Sequence, residues 1–215
     1  DLADEALFGL DVYRRMQLPD GGIRGGIESS EHPAEGSTSW QEVLTVLAYA
    51  PDHWSAYIYA GTAARAAVVL NILGKQDLAN IWGQSAVKAM IWAEKEYRKW
   101  ITSPDYSKVT ARAKQMVPVE RNLAAAEICR LTKNRQWLQV YLDSRHEVTT
   151  RTEAAFVVAR LDPALAGEKE RKEAAGFILK EAHRVLAMAQ KNAYGITTHI
   201  PGRALGGWES TYALP

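Results

Sequence analysis

The sequence predicts an all-α protein in which helical hairpins form an α/α toroid. Apolar residues recur at spacings of three and four along most of the chain, which is the pattern of amphipathic helices. Strand-like alternation is limited to a brief run near 43–48. Short and long connections alternate between about eight predicted helices. This alternation favours hairpins with their long loops gathered on one side over a simple bundle.

The predicted helices differ in composition and in their end signals. The second is rich in alanine, so we expect it to be buried against close neighbours, and Gly74 is placed to end it. Asp77 is expected to cap the third helix. Pro118 is expected to begin the fourth, because the first helical position needs no N–H donor. The predicted ranges are 4–17, 52–73, 77–97, 119–132, 134–143, 149–161, 168–192 and 204–214.

The spacing of apolar residues also predicts which side chains face inward. In the third helix they are Ile81, Ala86, Met90, Ala93 and Tyr97. In the seventh they are Ala175, Ile178, Leu179, Ala182, Leu186 and Ala189. The single cysteine, Cys129, cannot form an internal disulfide, and we expect it to be a small buried apolar side chain.

Residues 20–59 are the stretch around which the rest of the chain is organised. A connection of roughly 30 residues between helices is far longer than the usual length of about 4–6. Glycines at 21, 22, 25 and 26 allow unusual backbone conformations or a close approach of the chain to a ligand. The many apolar and aromatic side chains argue against disorder. We therefore expect a binding or catalytic loop.

Composition excludes several classes of function. The chain has 215 residues, of which 47% are hydrophobic and 24% charged, as in an ordinary soluble globular protein. A net charge of +1 gives no electrostatic reason to expect nucleic acid or an anionic membrane as a partner. The sequence contains no run of 18 or more apolar residues, the length that a membrane-spanning helix needs. The chain starts without methionine and both ends interrupt a helical pattern, so we expect flanking sequence.

A series of short motifs follows in a characteristic order along nearly the whole chain. They are Glu5-Ala6-Leu7-Phe8-Gly9-Leu10-Asp11, Met16-Gln17, Gly21-Gly22-Ile23, Ser29-Ser30-Glu31-His32-Pro33, Ser39-Trp40-Gln41, Tyr49-Ala50-Pro51-Asp52 and Gly207-Trp208-Glu209-Ser210. Their order and spacing resemble family-nine glycoside hydrolases, the cellulase family with a six-hairpin α/α barrel. Glu209 replaces the usual glycine of that family. The resemblance implies a hydrolase that cleaves β-1,4-linked glucan with inversion.

The sequence departs from that family at the catalytic groups. The family's base and its partner are aspartates of an Asp-Ala-Gly-Asp motif, and its proton donor is a glutamate late in the domain; neither occurs here. The resemblance therefore implies that residues 1–215 form a single, incomplete central part of a larger domain, and no catalytic residue is assigned. Tyr57 and Gly61 stand where some members carry an acidic calcium ligand, so no metal site and no cofactor are expected.

The chemistry of carbohydrate binding selects candidate residues. Carbohydrate clefts stack aromatic rings on sugars and hydrogen-bond the hydroxyls with charged or amide groups. The candidates for substrate binding are His32, Trp40, Gln41, Trp208 and Tyr212. Trp208 and Tyr212 lie one helical turn apart, and the resemblance puts them at the floor of the cleft. The loop also supplies Arg24, Glu28, Glu31, Tyr49, Trp54 and Tyr57.

Each candidate has a structural alternative. Trp40 could be a core tryptophan that anchors the loop, and Trp54, at a helix start, is more typical of a core. His32 could simply bond to backbone, and it has no His or Cys at the spacing of a metal ligand. Catalysis by Glu28, Glu31 or Glu35 is disfavoured, because loop carboxylates are usually solvated.

Two hypotheses remain open for function. In the first, the chain is the cleft wall of a β-glucan hydrolase, with a β-glucan oligosaccharide or polysaccharide and the missing remainder of its own domain as partners. Its location would then be secreted or periplasmic, by resemblance only. In the second, the chain is a non-catalytic α-helical scaffold that binds glycan or a protein partner through the long 20–59 loop.

Overall fold

The structure is a computed structural model that describes residues 2–148 and 151–191. By its internal contacts the chain divides into two compact units, Asp1–Thr149 and Thr150–Pro215, which are described separately below. The assignment of 1–215 to a single incomplete domain stays a prediction. None of the helices in the described ranges is long and apolar enough to cross a membrane.

Helices dominate the described residues of both units, as predicted. The described residues form α1 (Leu2–Arg15), β1 (Ile27–Ser29), β2 (Val46–Ala48), α2 (His53–Ile72), α3 (Gln76–Thr102), α4 (Ala111–Thr132), α5 (Arg135–Ser144), α6 (Glu153–Ala159) and α7 (Glu168–Ala189). Single 3₁₀ turns occur at Ser39–Gln41, Pro104–Lys108 and Arg145–Glu147. The last predicted helix, 204–214, lies outside the described residues.

Helix α2 is the centre of the first unit. It packs against α3 and α4, and small side chains at Ala56, Ala60, Ala63, Ala64 and Ala67 are fully buried in these contacts. Small residues let helix backbones approach closely, so many atoms come into van der Waals contact. The alanine-rich composition therefore predicted the buried position of this helix correctly.

Helix ends in the first unit follow ordinary capping chemistry. The carboxylate of Asp52 caps α2 by accepting from the Ser55 amide at 2.8 Å. Gly74, with a φ of 72°, follows the end of α2, as its position in the sequence predicted. Asn134 caps α5 by accepting from the amide of Gln136 at 2.9 Å. Each cap satisfies a backbone donor or allows the chain to reverse direction.

Three local predictions in α3 and α4 are wrong. Asp77 lies inside the first turn of α3 and not at its N-cap. The N-cap position is Lys75, because α3 begins at Gln76, only two residues after Gly74. Ile81 is 48% exposed, on the outer face of α3. Pro118 is buried inside α4, which begins seven residues earlier, at Ala111, behind the cap Thr110. The first turns of α4 are polar and mostly solvated, so they lack the apolar spacing by which the sequence indicates a packed helix.

The second unit contains α6 and α7 packed on each other. Ala154, Ala155, Val157 and Val158 of α6 are buried, as is Ala174 of α7. Leu179 and Leu186 were predicted to face inward, but they are 60% and 57% exposed. Helix α6 has only seven residues and therefore covers only part of the 22-residue α7.

The contact between α2 and α4 gives a test of this packing. A Cβ atom added to Gly61 would lie 3.3 Å from the Cα of Ala124, which is backbone and cannot rotate away. We expect Gly61→Val to push the two helices apart and to lower the free energy of unfolding by about 1–3 kcal/mol or more. Thermal denaturation followed by circular dichroism measures this loss.

Gly9→Ala is the matched control, because a Cβ added at Gly9 in α1 has no neighbour within 4 Å. Replacing a glycine inside a helix by alanine should raise stability by about 0.5–1 kcal/mol. Equal stability of Gly61→Val and the unmodified protein would contradict the close packing of α2 on α4.

Candidate functional site

The long loop is attached to α3 at its beginning. The Gln17 side-chain amide donates to the backbone carbonyl of Ser85 at 3.1 Å, and the Ser85 hydroxyl donates back to Gln17 at 2.6 Å. The Trp92 indole donates to the Asp20 carboxylate at 3.0 Å. These side-chain bonds attach the start of the loop to α3 at two points about two helical turns apart.

The first two glycines of the loop allow this attachment. Gly21 has a φ of 109°, a region that L side chains rarely adopt, and a Cβ there would lie 2.5 Å from the carbonyl oxygen of Lys88. A Cβ on Gly22 would lie 2.9 Å from the Trp92 ring. The sequence predicted unusual backbone conformation or close approach at these glycines; in the structure the close approach is to α3.

Beyond the glycines, the loop forms a small hairpin. Strands β1 and β2 are antiparallel, with Glu28 opposite Leu47. The Tyr49 hydroxyl donates to the Glu28 carboxylate, and this bond raises the pKa of Tyr49. The Ser29 hydroxyl donates to the Glu42 carboxylate, and both residues line a depression of about 290 Å³. The brief alternation near 43–48 was therefore a true strand signal.

The tip of the hairpin presents a tryptophan to solvent. Trp40 lies in a 3₁₀ turn and is 82% exposed, so it is not part of the core formed by the described residues. The side-chain oxygen of Gln41 accepts from the amide and the hydroxyl of Thr38, at 3.1 and 2.7 Å. His32 is exposed in the same segment, between β1 and β2. The structure therefore leaves the Trp40 ring, the His32 ring and the Gln41 nitrogen accessible on one loop.

Other aromatic residues of the 20–59 stretch are distributed differently from the prediction. Tyr57 was grouped with the sugar-facing residues, but it is completely buried in α2, where its hydroxyl donates to Glu94 at 2.7 Å. Its position in the helix turns it toward α3 rather than toward the loop. Trp54 is 41% exposed, although a core position seemed more typical, and Tyr49 is 50% exposed. Trp208 and Tyr212 lie outside the described residues.

Sequence analysis missed a buried polar cluster at the loop-bearing end of α2, α3 and α4. Glu94 of α3 accepts two hydrogen bonds from Arg121 of α4, at 2.7 and 2.9 Å, beside the Tyr57 hydroxyl. The Arg121 guanidinium lies 4.7 Å from the centroid of the Tyr97 ring. The sequence did contain a signal, because Glu94 and Arg121 are charged residues on the apolar faces of α3 and α4. They are 27 positions apart, however, so the sequence did not indicate that they pair.

Burial sets the protonation behaviour of this cluster. Burial raises the pKa of Tyr57, so the phenol remains a hydrogen-bond donor. Burial alone would lower the pKa of Arg121, but the bonds to Glu94 outweigh it and the pKa is raised. A charged guanidinium therefore faces a carboxylate that accepts all three bonds.

An aromatic group extends the cluster toward the start of α2. The ring of His53 lies 4.7 Å from that of Trp100, which in turn meets Tyr106 edge-on at 4.9 Å. His53 Nε2 is buried without a hydrogen-bond partner. Burial lowers the pKa of His53 below its ordinary value of 6.5, so the neutral ring is favoured at this position.

The carboxylates of the loop are either paired or exposed. Glu28 is engaged by Tyr49, while Glu31 and Glu35 are exposed on the loop, as solvated carboxylates would be. Within the ranges 2–148 and 151–191, no group of three or more His, Cys, Asp or Glu side chains could hold a metal ion. Cys129 is buried as predicted, and burial raises the pKa of its thiol. The arrangement offers an exposed aromatic face beside hydrogen-bonding groups.

Comparison with known proteins places the fold. No protein-family model and no curated protein matches the chain. Among solved structures it is similar to a GH9 protein of Bacteroides ovatus, with a TM-score of 0.73 and 17% identity over 93% of this chain and 40% of that one. A single mutant of a thermostable endoglucanase from Alicyclobacillus acidocaldarius gives a TM-score of 0.72 and 16% identity, over 88% and 37% of the two chains.

A metagenome-derived glycoside hydrolase family 9 endoglucanase gives a TM-score of 0.69 at 19% identity, with coverage of 90% and 37%. The chain thus spans about two fifths of the length of the solved structures that it matches. The predicted fold, all-α and part of an α/α barrel, is confirmed, and the resemblance to family nine is confirmed at the level of the fold.

The partly buried imidazole of His53 gives a prediction about pH. Because its folded-state pKa is lowered, the unfolded chain takes up a proton at higher pH than the folded chain does. The free energy of unfolding should therefore fall as the pH drops below about 6.5. His53→Phe keeps an aromatic ring against Trp100 and removes the titration. As the pH is lowered from 7.5 to 5.5, we expect the Tm of the unmodified protein to fall further than the Tm of this variant. A difference in Tm between the two proteins that does not change with pH would contradict the prediction.

Proposed function

We propose that this chain is part of a glycoside hydrolase of family nine that cleaves β-1,4-linked glucan, cellulose or a related β-glucan, with inversion. In this proposal the loop between α1 and α2 forms one wall of the glucan cleft. The single observation that carries the proposal is the exposed Trp40 at the tip of an anchored hairpin, in a fold shared with endoglucanases.

The exposure of Trp40 supports a binding role on energetic grounds. A tryptophan exposed over 82% of its surface costs solvation free energy that a bound apolar surface would recover. The flat apolar face of a glucose ring is such a surface, and ring stacking orients it. The loop is held on α3 through Gln17 and Asp20, so the ring is presented from a fixed base.

The groups near Trp40 suit the hydroxyls of a sugar. Because the side-chain oxygen of Gln41 accepts from Thr38, its side-chain nitrogen is the group directed to a ligand. His32 can donate to or accept from a hydroxyl. Trp208 and Tyr212 complete the proposed substrate-binding set at the floor of the cleft, and the substrate is a β-glucan oligosaccharide or polysaccharide.

The chemical step needs two carboxyl groups that we do not assign to this chain. In an inverting hydrolase one carboxylate activates a water and a carboxylic acid protonates the leaving oxygen, with the two groups about 6.5–9.5 Å apart. We propose that an aspartate base and a glutamate acid come from sequence flanking this chain. Since polymeric glucans occur outside the cell, we also propose a secreted or periplasmic location.

A non-catalytic scaffold that holds glycan or a protein through the same loop is the second candidate. The exposed apolar residues of the hairpin, among them Val43 and Leu47, favour it as well. The sequence flanking the chain distinguishes the two. An upstream Asp-Ala-Gly-Asp motif and a downstream glutamate, together with release of reducing sugar from carboxymethylcellulose by the full-length protein, would establish the enzyme. Glucan binding without hydrolysis would establish the scaffold.

Replacing Trp40 tests the binding role directly. We expect Trp40→Ala in the full-length protein to weaken binding of cellohexaose by about 1–3 kcal/mol, because the stacked ring is lost. Isothermal titration calorimetry measures the change in Kd. Trp40→Phe, which keeps an aromatic face, should retain part of the affinity.

Phe8→Ala is the control, because Phe8 is also strongly exposed, at 78%, but belongs to α1 and not to the 20–59 loop. Its affinity for cellohexaose should equal that of the unmodified protein. If Trp40→Ala and Phe8→Ala both bind cellohexaose with unchanged Kd, the assignment of Trp40 to the glucan cleft is wrong.

A further inference from the structure

Two glutamate–arginine pairs, each with a buried carboxylate, connect the helices of the first unit at different levels. At the loop-bearing end, Glu94 of α3 holds Arg121 of α4 and accepts from Tyr57 of α2. Further along α2, Arg65 donates to Glu127 of α4 at 2.7 Å. Both carboxylates are almost completely buried, with side-chain exposures of 8% and 1%.

We propose that Glu94 and Arg121 are positioning residues for the glucan-binding loop. This inference rests on the proposed function. The pair and Tyr57 join the second turn of α2 to the turn of α3 that follows Trp92. The end of the loop leads into α2 at His53, and its beginning is attached to α3 at Trp92 through Asp20. Neither side chain of the pair contacts the substrate; each acts through the loop.

The pair has the geometry of a rigid connection. Arg121 binds both carboxylate oxygens of Glu94 through Nε and Nη2, which fixes the guanidinium plane as well as the distance. The Tyr97 ring, 4.7 Å away, supports the guanidinium from one face. Because the Arg121 side chain is only 14% exposed, water competes little for these bonds.

The loop is attached to residues adjacent to the pair in both helices. At its beginning, Asp20 accepts from Trp92, which lies two residues before Glu94 in α3. At its end, Asp52 caps α2 through Ser55, which lies two residues before Tyr57. A change in the spacing of Tyr57 and Glu94 would therefore move the two ends of the loop apart or together, and would displace the hairpin that carries Trp40.

The second pair supplies an internal comparison. Arg65 lies eight residues beyond Tyr57, which is about 12 Å further from the loop along α2. Glu127 also pairs with Arg130 within α4, so replacing it likewise removes a buried carboxylate that holds arginine side chains. The two glutamates therefore contribute to stability through the same chemistry, but only Glu94 lies where the loop begins and ends.

Glu94→Gln and Glu127→Gln in the full-length protein test the inference. Both variants keep side-chain volume and remove a buried charge, so we expect both to lower the Tm measured by calorimetry. Only Glu94→Gln should raise the Kd for cellohexaose, by about fivefold or more at a temperature where all proteins are folded. Tyr57→Phe removes one bond to the same carboxylate, and should raise the Kd by a smaller factor.

The outcomes separate the two proposals. An unchanged Kd in Glu94→Gln, or an equal rise in Kd in Glu127→Gln, would show that the pair is only structural and would overturn the inference while Trp40 keeps its role. If Glu94→Gln does not fold, Tyr57→Phe decides: a raised Kd supports the inference and an unchanged Kd overturns it. If the unmodified protein does not bind cellohexaose, the proposed function fails and the inference fails with it.

Discussion

The close approach of α2 to α3 and α4 is the constraint on which the first unit depends. Alanines and Gly61 bring the helix backbones together, so that dispersion contacts replace the large side chains of an ordinary core. This spacing also places Tyr57, Glu94 and Arg121 within hydrogen-bonding distance of one another. A charge pair buried in so small a space is stable only because each polar atom finds a partner.

The same packing determines where a ligand could bind. The tightly packed helices α2, α3 and α4 provide a rigid surface for the loop. The Gly21-Gly22 step lets the loop backbone lie directly against α3 beside Trp92. Only beyond this base does the chain leave the helices and form a hairpin whose apolar side chains face solvent. The molecule thus combines a rigid base with an exposed aromatic tip, which is how binding loops are commonly supported by a scaffold.

Much of the fold was predictable because helix periodicity and end signals are local. The alanine-rich α2, its glycine stop at Gly74 and the Asn134 cap of α5 each depend on neighbours within one turn. The errors arose where local signals conflict with tertiary burial. Pro118 is tolerated inside α4, in the interior of the unit, and the polar first turns of α4 concealed its start.

The sequence by itself determined the all-α class, the existence of an unusual glycine- and aromatic-rich loop and the order of motifs that resembles family nine. Only the tertiary structure decided that Trp40 is exposed while Tyr57, equally aromatic, is buried, because exposure depends on which helix face meets a neighbour. It also decided the pairing of Glu94 with Arg121 and with Tyr57, since these residues lie 27 and 37 positions apart. A bond across that separation depends on how three helices pack, which no local pattern of residues contains.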